Sequence, residues 1–597
     1  MKRSLAAVLF AACLATVISC GFDHQGQAPV RPGAIKQVEN GLLSGAPVVG
    51  RPGALLEERM ASLDVAAVSI AVIQDSEIVW ARAYGVADRA TGRMADTSTL
   101  FQAASISKPV TATAVHRLVE SGKLDLDAPV NQYLTSWKLP GNELTRATPG
   151  TLRMLLSHSG GTTVSGFPGY EPGVPLPSLH QVLNGESPAN TGPIRVDITP
   201  GETSRYSGGG TTIVQQMLID IVGKPFPELM HEMVLGPVGM TDSAFDQPVS
   251  PDRAENAAKA HNADAELGGN SHIYPELAAA GLWTTPTDLA KFAIAIQRSV
   301  RGDENALIAQ KTAKHMLTPV QGDAALGLFR LRKRGEAYFG HGGGNYGFRC
   351  QLVFHPKKGY GAAVMTNASR GGVVADEVLN AIANVYGWEG YLPEPIQPIE
   401  FGADELNRYA GRYRAGPDQV VVLTADDGFL SHREVMRPGA IPLYPVAPNT
   451  FRYTERYDKA FTFVRGEDGS IESMESETAG TTWIRLADDE LLAPELLLAG
   501  RIDEAIALYR ELDVEEGRLN QIGYQLLAEP DRIDEAISIF RLNTELFPAS
   551  SNTWDSLGEG YMEAGQTELA IANYEKSLEL DPSNTNAVAM LERLRGK

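Results

Sequence analysis

The sequence predicts an α+β domain, then a small antiparallel β domain, then an array of helical repeats. β-Branched strands lie at both ends of residues 50–388, a region otherwise rich in amphipathic helices. Residues 403–487 form short alternating strands separated by turn residues, and residues 488–597 repeat a helical pattern every 34 residues. A chain of 597 residues is too long for one hydrophobic core, so several domains are expected.

Charge and cysteine content exclude several classes of protein. Lys and Arg total 52 and Asp and Glu total 73, a balance of −21 that argues against a nucleic-acid partner. Residues 488–597 hold 23 acidic and 9 basic residues, so most of the excess lies in the repeats. Three cysteines, Cys13, Cys20 and Cys350, cannot form a disulfide framework or a CxxC metal pair. We expect no metal and no cofactor.

The first 19 residues have the pattern of a bacterial targeting signal. Lys2 and Arg3 precede an apolar stretch that is too short to span a membrane. The four residues ending at Cys20 resemble a lipobox, which implies cleavage before Cys20 and its lipidation; an ordinary secretory signal is the alternative. Gly21 implies transfer to the outer membrane, facing the periplasm. Residues 20–49 are expected to be a flexible tether.

The region 50–388 carries its strand signals at its two ends. Ala66–Ile73 and Ile78–Tyr84 form a hairpin pattern, while Arg349–His355 and Gly361–Thr366 are late strands. We therefore expect an antiparallel sheet with flanking helices, closed by segments distant in sequence. Helices are expected at Pro109–Glu120, Thr151–Leu156, Thr211–Val222, Phe226–Val234 and Thr287–Gln297.

A Pro-rich linker, 389–402, separates this domain from the small β domain. Strands of the β domain are expected at Gln419–Thr424, Leu443–Val446, Thr450–Tyr453, Ala460–Arg465, Ile471–Ser476 and Thr481–Leu486, which indicates a small sheet or barrel. The helical region has the residue offsets of tetratricopeptide repeats, carried by Trp554, Leu557, Gly558, Tyr561, Ala570, Tyr574 and Pro582. An unrelated amphipathic bundle is the alternative. Such repeats imply a protein partner or self-association.

The first chemical motif is Ser105-Ile106-Ser107-Lys108, an SxxK match. Pro109 follows, and proline is tolerated in the first turn of a helix, so Ser105 is expected at a helix N-terminus. Lys108 would then project from the same face towards the hydroxyl. Burial and the helix dipole both disfavour a charged lysine there, which would leave an amine able to accept the serine proton.

Two glycine-rich elements accompany this motif. Tyr206 stands at the lip of a predicted loop that includes Gly208, where its hydroxyl could relay a proton; a packing role is the alternative. His341 opens the run His-Gly-Gly-Gly just ahead of a strand, where missing side chains would let a substrate lie along the strand edge. The sequence contains no GxSxG elbow and no HExxH motif, which removes the usual α/β-hydrolase and zincin interpretations.

Taken together, residues from about 50 to 388 resemble the serine β-lactamase and penicillin-binding-protein superfamily, in the branch of class C β-lactamases, D-amino-acid-releasing carboxypeptidases and esterases. The three motifs occur in the family's order, and strings at 155–161, 236–240 and 280–289 match as well. The resemblance implies that Ser105 attacks a carbonyl while Lys108 and Tyr206 move its proton. The backbone N–H groups of Ser105 and Gly344 would form an oxyanion hole, within a substrate-binding segment of His341, Gly343, Gly344 and Gly208.

Two departures from the family pattern bear on the substrate. Gly208 stands where relatives often have an asparagine that contacts the acyl side chain, and His341 replaces the lysine of Lys-Thr-Gly. A histidine is a weaker cation at neutral pH, so recognition of a β-lactam carboxylate is expected to be weak. His158 lies in a family string and is expected to be structural, while Arg349 is either a substrate-carboxylate ligand or a surface residue.

The expected function is that of a serine hydrolase acting on ester or D-amino-acid amide or peptide bonds at the bacterial cell envelope. A true β-lactamase is one alternative. A penicillin-binding sensor or repeat-based adaptor without turnover is another, because a fold does not guarantee activity. The region 403–487 resembles the small barrel that many relatives carry after the catalytic domain.

Overall fold

The structure is a computed structural model that describes residues 31–261, 271–436, 439–454, 460–476, 480–487 and 489–596. The described residues form two compact units: residues 31–40 with Leu55–Trp388, and Gly41–Ala54 with residues 389–596. The predicted signal peptide, 1–19, and Cys20 lie outside the described residues, so they stay predictions. Among the helices of the described residues, none combines the length and the apolar character that a membrane-spanning segment requires.

An antiparallel sheet forms the centre of the first unit. Its described strands, with one separate short pair, are β1 Ala67–Gln74, β2 Glu77–Asp88, β3 Arg93–Met94, β4 Phe101–Gln102, β5 Trp283–Thr284, β6 Phe329–Lys333, β7 Glu336–Asn345, β8 Phe348–Phe354 and β9 Gly361–Thr366. The sheet order is β3-β2-β1-β9-β8-β7-β6, and β4 pairs with β5. Ala71 pairs with Ala363, which confirms that segments distant in sequence close the sheet.

Helices pack around this sheet. They are α1 Ala34–Glu39, α2 Leu56–Ser62, α3 Ser107–Glu120, α4 Glu143–Ala147, α5 Leu152–Leu156, α6 Leu179–Asn184, α7 Gly208–Val222, α8 Phe226–Met230, α9 Gly236–Val238, α10 Pro251–Ala254, α11 Leu277–Ala280, α12 Pro286–Arg301, α13 Gln310–Met316 and α14 Gly371–Tyr386. α12 shows why these ends form: Thr285 caps its N-terminus by accepting from the Asp288 N–H, and Gly302 ends it with positive φ. α3 is buried along most of its length, which places the SxxK motif in the core.

Two connecting segments are packed rather than free. The tether prediction is wrong over residues 31–49, because Ala34 and Val38 of α1 are buried in the first unit. The predicted linker, 389–402, is likewise part of the second unit. There Ile396 is buried and pairs with Val48 through a short bridge. Composition rich in Gly and Pro indicated flexibility, but these apolar side chains bury enough surface to hold both segments in place.

The small β domain is a closed barrel. Helix α15 Ala403–Tyr409 precedes its described strands, β10 Gly411–Arg414, β11 Val420–Asp426, β12 Phe429–Glu434, β13 Ile441–Ala447, β14 Thr450–Tyr453, β15 Ala460–Arg465, β16 Ile471–Ser476 and β17 Thr482–Arg485. Pairing of β10 with β17 closes it. The six expected strands are present, while β10 and β12 were not predicted. Tyr409, Phe451 and Phe463 fill the interior with edge-to-face ring contacts.

The second unit ends in helices that pack against their neighbours. They are α16 Ala493–Leu498, α17 Ile502–Glu511, α18 Glu516–Leu527, α19 Ile533–Leu546, α20 Ser551–Glu563, α21 Thr567–Leu580 and α22 Thr585–Leu594. Large residues pack onto small ones, as the repeat pattern predicts: a side chain at Gly523 would overlap the ring of Phe540, and one at Gly558 would press on Tyr574. Assignment to the tetratricopeptide family stays a prediction.

Candidate active site

Ser105 lies in a 3₁₀ turn, Ala104–Ile106, between β4 and α3. Ser105 was predicted at the N-terminus of the α-helix, but α3 begins two residues later, at Ser107. The reason is local: Ala104 has φ of +48°, a left-handed conformation that few non-glycine residues adopt, and it turns the chain sharply before the helix. Strained backbone of this kind is concentrated at functional sites.

The neighbouring sheet holds this turn in place. The Cys350 thiol on β8 donates to the Ala103 carbonyl over 3.0 Å, and the Ala103 N–H donates to the Leu282 carbonyl over 2.8 Å. A side chain at Gly343 would overlap both the Ala103 carbonyl and the Cys350 sulfur. Gly343 therefore allows β7 to approach the nucleophile turn, and its predicted contact with substrate stays a prediction.

Lys108 is in hydrogen-bond contact with the serine. Its Nζ lies 2.9 Å from Ser105 Oγ and donates to the Ala279 carbonyl, also over 2.9 Å. The side chain is buried, and this burial lowers the pKa of Lys108 to about 7. A large fraction of Lys108 is therefore a neutral amine at neutral pH, and in that state Nζ can accept a proton from Ser105 Oγ.

Tyr206 is the second group at the serine. Its ring centroid lies 5.0 Å from Lys108 Nζ, and Ser105 is close enough to its hydroxyl to affect its pKa. Burial raises the pKa of Tyr206 to about 12, and the nearby Ser105 side chain opposes the increase without cancelling it. Tyr206 therefore stays protonated at neutral pH, while Lys108 does not stay fully charged. The two residues are suited to different tasks, Lys108 to accept a proton and Tyr206 to donate one.

His158 positions Tyr206. The two rings lie 4.4 Å apart, and His158 also stacks on Phe329 at 5.6 Å. His158 Nδ1 accepts from the Ser207 N–H over 3.2 Å, so the backbone next to Tyr206 is tied to the same ring. Burial and the nearby Lys108 charge lower the pKa of His158 to about 3, so this imidazole is neutral. The geometry matches the expected structural role.

The glycines after Tyr206 form a helix start and not the predicted loop. Gly208 is the first residue of α7, and Ser207 caps the helix by accepting from the Gly210 N–H over 2.9 Å. The backbone here packs closely: a Cβ at Gly208 would lie 2.9 Å from the ring of Phe167. Close packing of a neighbouring segment, and not the need for a loop, thus explains the glycine at 208.

Strand β7 presents an open edge beside the serine. β6 begins at Phe329, which pairs with Gly340, so among the described residues the segment His341–Asn345 pairs only with β8. Gly342 and Gly344 are exposed on this segment. The free edge agrees with the interpretation that a substrate lies along the strand, because backbone groups there are available for pairing.

His341 is a buried, neutral residue at the start of this edge. Its Nδ1 lies 2.6 Å from the Gly342 carbonyl, so Nδ1 carries the proton and donates. Nε2 is then an acceptor, buried without a partner in the described structure. Burial, with the charge of Lys108, lowers the pKa of His341 to about 3. His341 thus places no cation where relatives carry the lysine of Lys-Thr-Gly.

Three further polar residues of the first unit, Gln102, Asn345 and Glu276, were not predicted. Gln102 accepts from Asn345 Nδ2 over 2.6 Å, which joins the nucleophile segment to the end of β7. Glu276 is fully buried on the segment before α11, and neither carboxyl oxygen has a hydrogen-bond partner among the described residues. Burial raises the pKa of Glu276 to about 7. The only feature of the sequence that could have indicated Glu276 is that it is the single acidic residue within the apolar run 273–283.

Residues 53–386, more than half of the chain, match the sequence family described as Beta-lactamase. The chain belongs to this Beta-lactamase family. Its relatives include esterase EstB of Burkholderia gladioli, 32% identical over 206 residues, which are 32% of this chain and 49% of that protein. The chain thus spans about half the length of EstB.

A second relative is the D-alanyl-D-alanine-carboxypeptidase/endopeptidase AmpH of Escherichia coli K12. It is 25% identical over 324 residues, which are 50% of this chain and 79% of AmpH. Among solved structures, the octameric penicillin-binding protein homologue of Pyrococcus abyssi is 23% identical, with 72% of this chain and 97% of that chain covered and a TM-score of 0.49. EstB and AmpH, both similar to this chain, thus carry the names of hydrolases with different substrates.

Proposed function

We propose that this chain is a serine hydrolase that forms an acyl-enzyme through Ser105 and acts on ester bonds or on amide or peptide bonds of D-amino acids. The contact of 2.9 Å between Lys108 Nζ and Ser105 Oγ, with Lys108 buried, carries the proposal. It supplies a nucleophile and its base within one turn of the chain. The names of EstB and AmpH support the two substrate classes.

Acylation follows from the protonation states of the two side chains. Neutral Lys108 takes the proton of Ser105 Oγ as Oγ attacks the substrate carbonyl carbon. Tyr206 then gives its proton to the leaving oxygen or nitrogen and receives the proton held by Lys108, so the bond to the leaving group breaks. Lys108 ends neutral, Tyr206 ends protonated, and the acyl group is bound to Ser105.

Deacylation uses the same groups with water as the nucleophile. Tyr206 and Lys108 relay the water proton to Ser105 Oγ, which leaves as the acyl group departs as an acid. We assign the oxyanion hole to the backbone N–H groups of Ser105 and Gly344 on the strength of the family resemblance, and the exposed position of Gly344 on the open edge of β7 supports it.

The buried, neutral His341 argues for uncharged esters and amides over β-lactams. A β-lactam presents a carboxylate, and recognition of a carboxylate is strongest with a fixed cation. We also propose that lipidation of Cys20 anchors the protein to the outer membrane, facing the periplasm, and that the acidic helical region binds a basic protein partner or a second copy of the chain.

Labelling with a fluorophosphonate probe tests the assignment of Ser105. We expect covalent labelling of the wild-type protein and none of Ser105→Ala. Ser121→Ala, which removes an exposed serine at the end of α3, is the matched control and should label like wild type. Undiminished labelling of Ser105→Ala would refute the assignment. Intact mass after incubation with esters, D-amino-acid amides and β-lactams then identifies which class acylates the protein and is released.

A further inference from the structure

One loop, residues 165–170, connects the first turn of α7 with the segment around Ile273. At its start, the Ser165 carbonyl accepts from the Gly208 N–H over 3.0 Å, at the first turn of α7. At its end, Tyr170 exchanges two backbone hydrogen bonds with Ile273, at 2.9 and 2.7 Å. In between, the Pro168 carbonyl lies 3.0 Å from His272 Nδ1. The loop is therefore held at both ends and in the middle.

Aromatic side chains follow this path. The ring of Phe167 occupies the space that a side chain at Gly208 would need, with Cε2 2.9 Å from the position of that Cβ. The rings of His272 and Tyr346 stack at 4.0 Å between centroids. The Tyr274 hydroxyl accepts from the Tyr346 N–H over 2.9 Å, which fixes the stacked pair. We call Phe167, His272 and Tyr346 the aromatic wall.

Each member of the aromatic wall lies next to one catalytic element. Phe167 contacts Gly208, two residues after Tyr206. Tyr346 follows Gly344 by two residues on the turn that ends the open edge of β7. The His272 carbonyl accepts from Gln102 Nε2 over 2.8 Å, and Gln102 precedes Ser105 by three residues. All three rings are half-buried, so part of each ring remains accessible.

We propose that the aromatic wall lines the substrate cleft and selects substrates with an apolar acyl or leaving group. This proposal rests on the proposed hydrolase function and specifies its substrate class. Phe167 and Tyr346 carry uncharged rings, one packed beside Gly208 and the other on the turn that follows β7. An alkyl or aryl group gains from contact with such rings, whereas a charged group would lose its hydration there.

The test compares two series of p-nitrophenyl and aryl esters on the full chain. The acyl series is p-nitrophenyl acetate, butyrate and octanoate, and the leaving-group series is phenyl acetate against 2-naphthyl acetate. Removing one wall ring should lower the octanoate-to-acetate ratio of kcat/KM, or the naphthyl-to-phenyl ratio, by about tenfold, the discrimination that a change in an apolar pocket provides. The series that changes identifies which part of the substrate meets the wall.

The variants are Phe167→Ala and Tyr346→Ala, with Phe429→Ala on the barrel as the matched control. Phe429 is also half-buried, and its loss should leave both ratios at the wild-type value. Circular dichroism checks folding, and Tyr346→Ala carries the test if Phe167→Ala does not fold. Unchanged kcat/KM ratios in both wall variants would overturn the proposal that the aromatic wall selects the substrate. Failure of the hydrolase proposal is a separate result, namely no Ser105-dependent labelling or ester hydrolysis by the wild-type protein.

A third variant uses the close packing at 208. Gly208→Ala places a methyl group 2.9 Å from the Phe167 ring and should displace that ring. The displacement should lower the same kcat/KM ratio that Phe167→Ala lowers. In Gly208→Ala combined with Phe167→Ala, the methyl group meets no ring, so the two effects should not add. Additive effects would contradict a shared action of these residues on the substrate.

Discussion

The segments around Lys108 and Glu276 differ from the junction between the barrel and its helices in how buried ionisable groups are compensated. In the second unit, Arg412 meets Glu495 through two bonds of 2.7 and 2.6 Å, and Arg518 meets Asp418 at 2.6 Å, so the ions that join the barrel to its helices are paired. In the first unit, Lys108 and Glu276 are buried without a salt bridge among the described residues, and desolvation shifts the pKa of each. Other buried carboxylates of this unit are paired, such as Glu377 with Arg59. Paired ions support a fold, whereas unpaired ones shift their pKa and serve chemistry. The contrast marks Lys108 and Glu276 as candidates for chemistry.

The strongest test of this contrast removes the unpaired amine. Lys108→Met keeps the length of the side chain and takes away the base, so kcat should fall by about 10³-fold, within the usual range for general-base catalysis. Because burial of a charged lysine is unfavourable, the variant should remain folded. Lys123→Met, which changes an exposed lysine beyond α3, should keep wild-type kinetics. Ester hydrolysis under saturation measures both, and retained kcat in Lys108→Met would refute the assigned base.

The pH dependence of hydrolysis follows from the same group. Lys108 must be neutral to accept the serine proton, and its pKa is lowered to about 7. Activity should therefore be full above pH 7 and should fall by about tenfold for each pH unit below it. Glu276 also has a pKa of about 7, so the profile of kcat/KM should be measured on Glu276→Gln as well. A profile that becomes flat in Glu276→Gln would assign the titration to the carboxyl group instead.

Glu276 should cost stability in a manner that depends on pH. Its pKa is raised from 4.5 to about 7 in the folded chain, so the folded state binds its proton more tightly than the unfolded state does. The free energy of unfolding should thus fall as the pH rises from 4.5 to 7, by about 3 kcal/mol in total. Glu276→Gln removes this pH-dependent loss of stability, because its side chain does not ionise. Urea unfolding at pH 4 and pH 8 should show the variant gaining on wild type at pH 8, and an equal difference at both pH values would contradict the prediction.

The paired carboxylate should respond in the opposite direction. Glu495→Gln leaves the Arg412 guanidinium without its charged partner, so the free energy of unfolding should fall by about 2 kcal/mol at pH 8. Urea unfolding compared with that of Glu276→Gln at the same pH measures the contrast directly. If both variants shift stability in the same direction, pairing is not what distinguishes the two carboxylates.

Much of the fold was predictable because its signals are local. Alternating apolar residues located the β1–β2 hairpin and six barrel strands, and the periodicity of α12 located that helix. Strands β10 and β12 were missed because their residues lack a clean alternation. Residues 31–49 were wrongly expected to be a tether. Their Gly- and Pro-rich composition indicated flexibility, but composition does not show which apolar side chains become buried in the folded chain.

The motif residues Ser105, Lys108 and Tyr206 were likewise predictable, but their environment was not. Gln102 and Glu276 carry no motif, and only their positions reveal their relation to the site. The glycine at 208 was interpreted as part of a loop, because nothing local shows that Phe167 fills the space beside it. Strand signals indicated that distant segments share a sheet, but a single sequence does not show which individual side chains come into contact.

The sequence by itself determined which groups are available for chemistry: a serine with a lysine three residues later, a tyrosine, and a glycine-rich strand edge. Tertiary structure decided what those groups do. The pKa of Lys108 falls to about 7 because the folded chain buries the side chain, where α11, a segment about 170 residues away, supplies a carbonyl. Desolvation is a property of everything packed around an atom, so it arises only when the chain has folded.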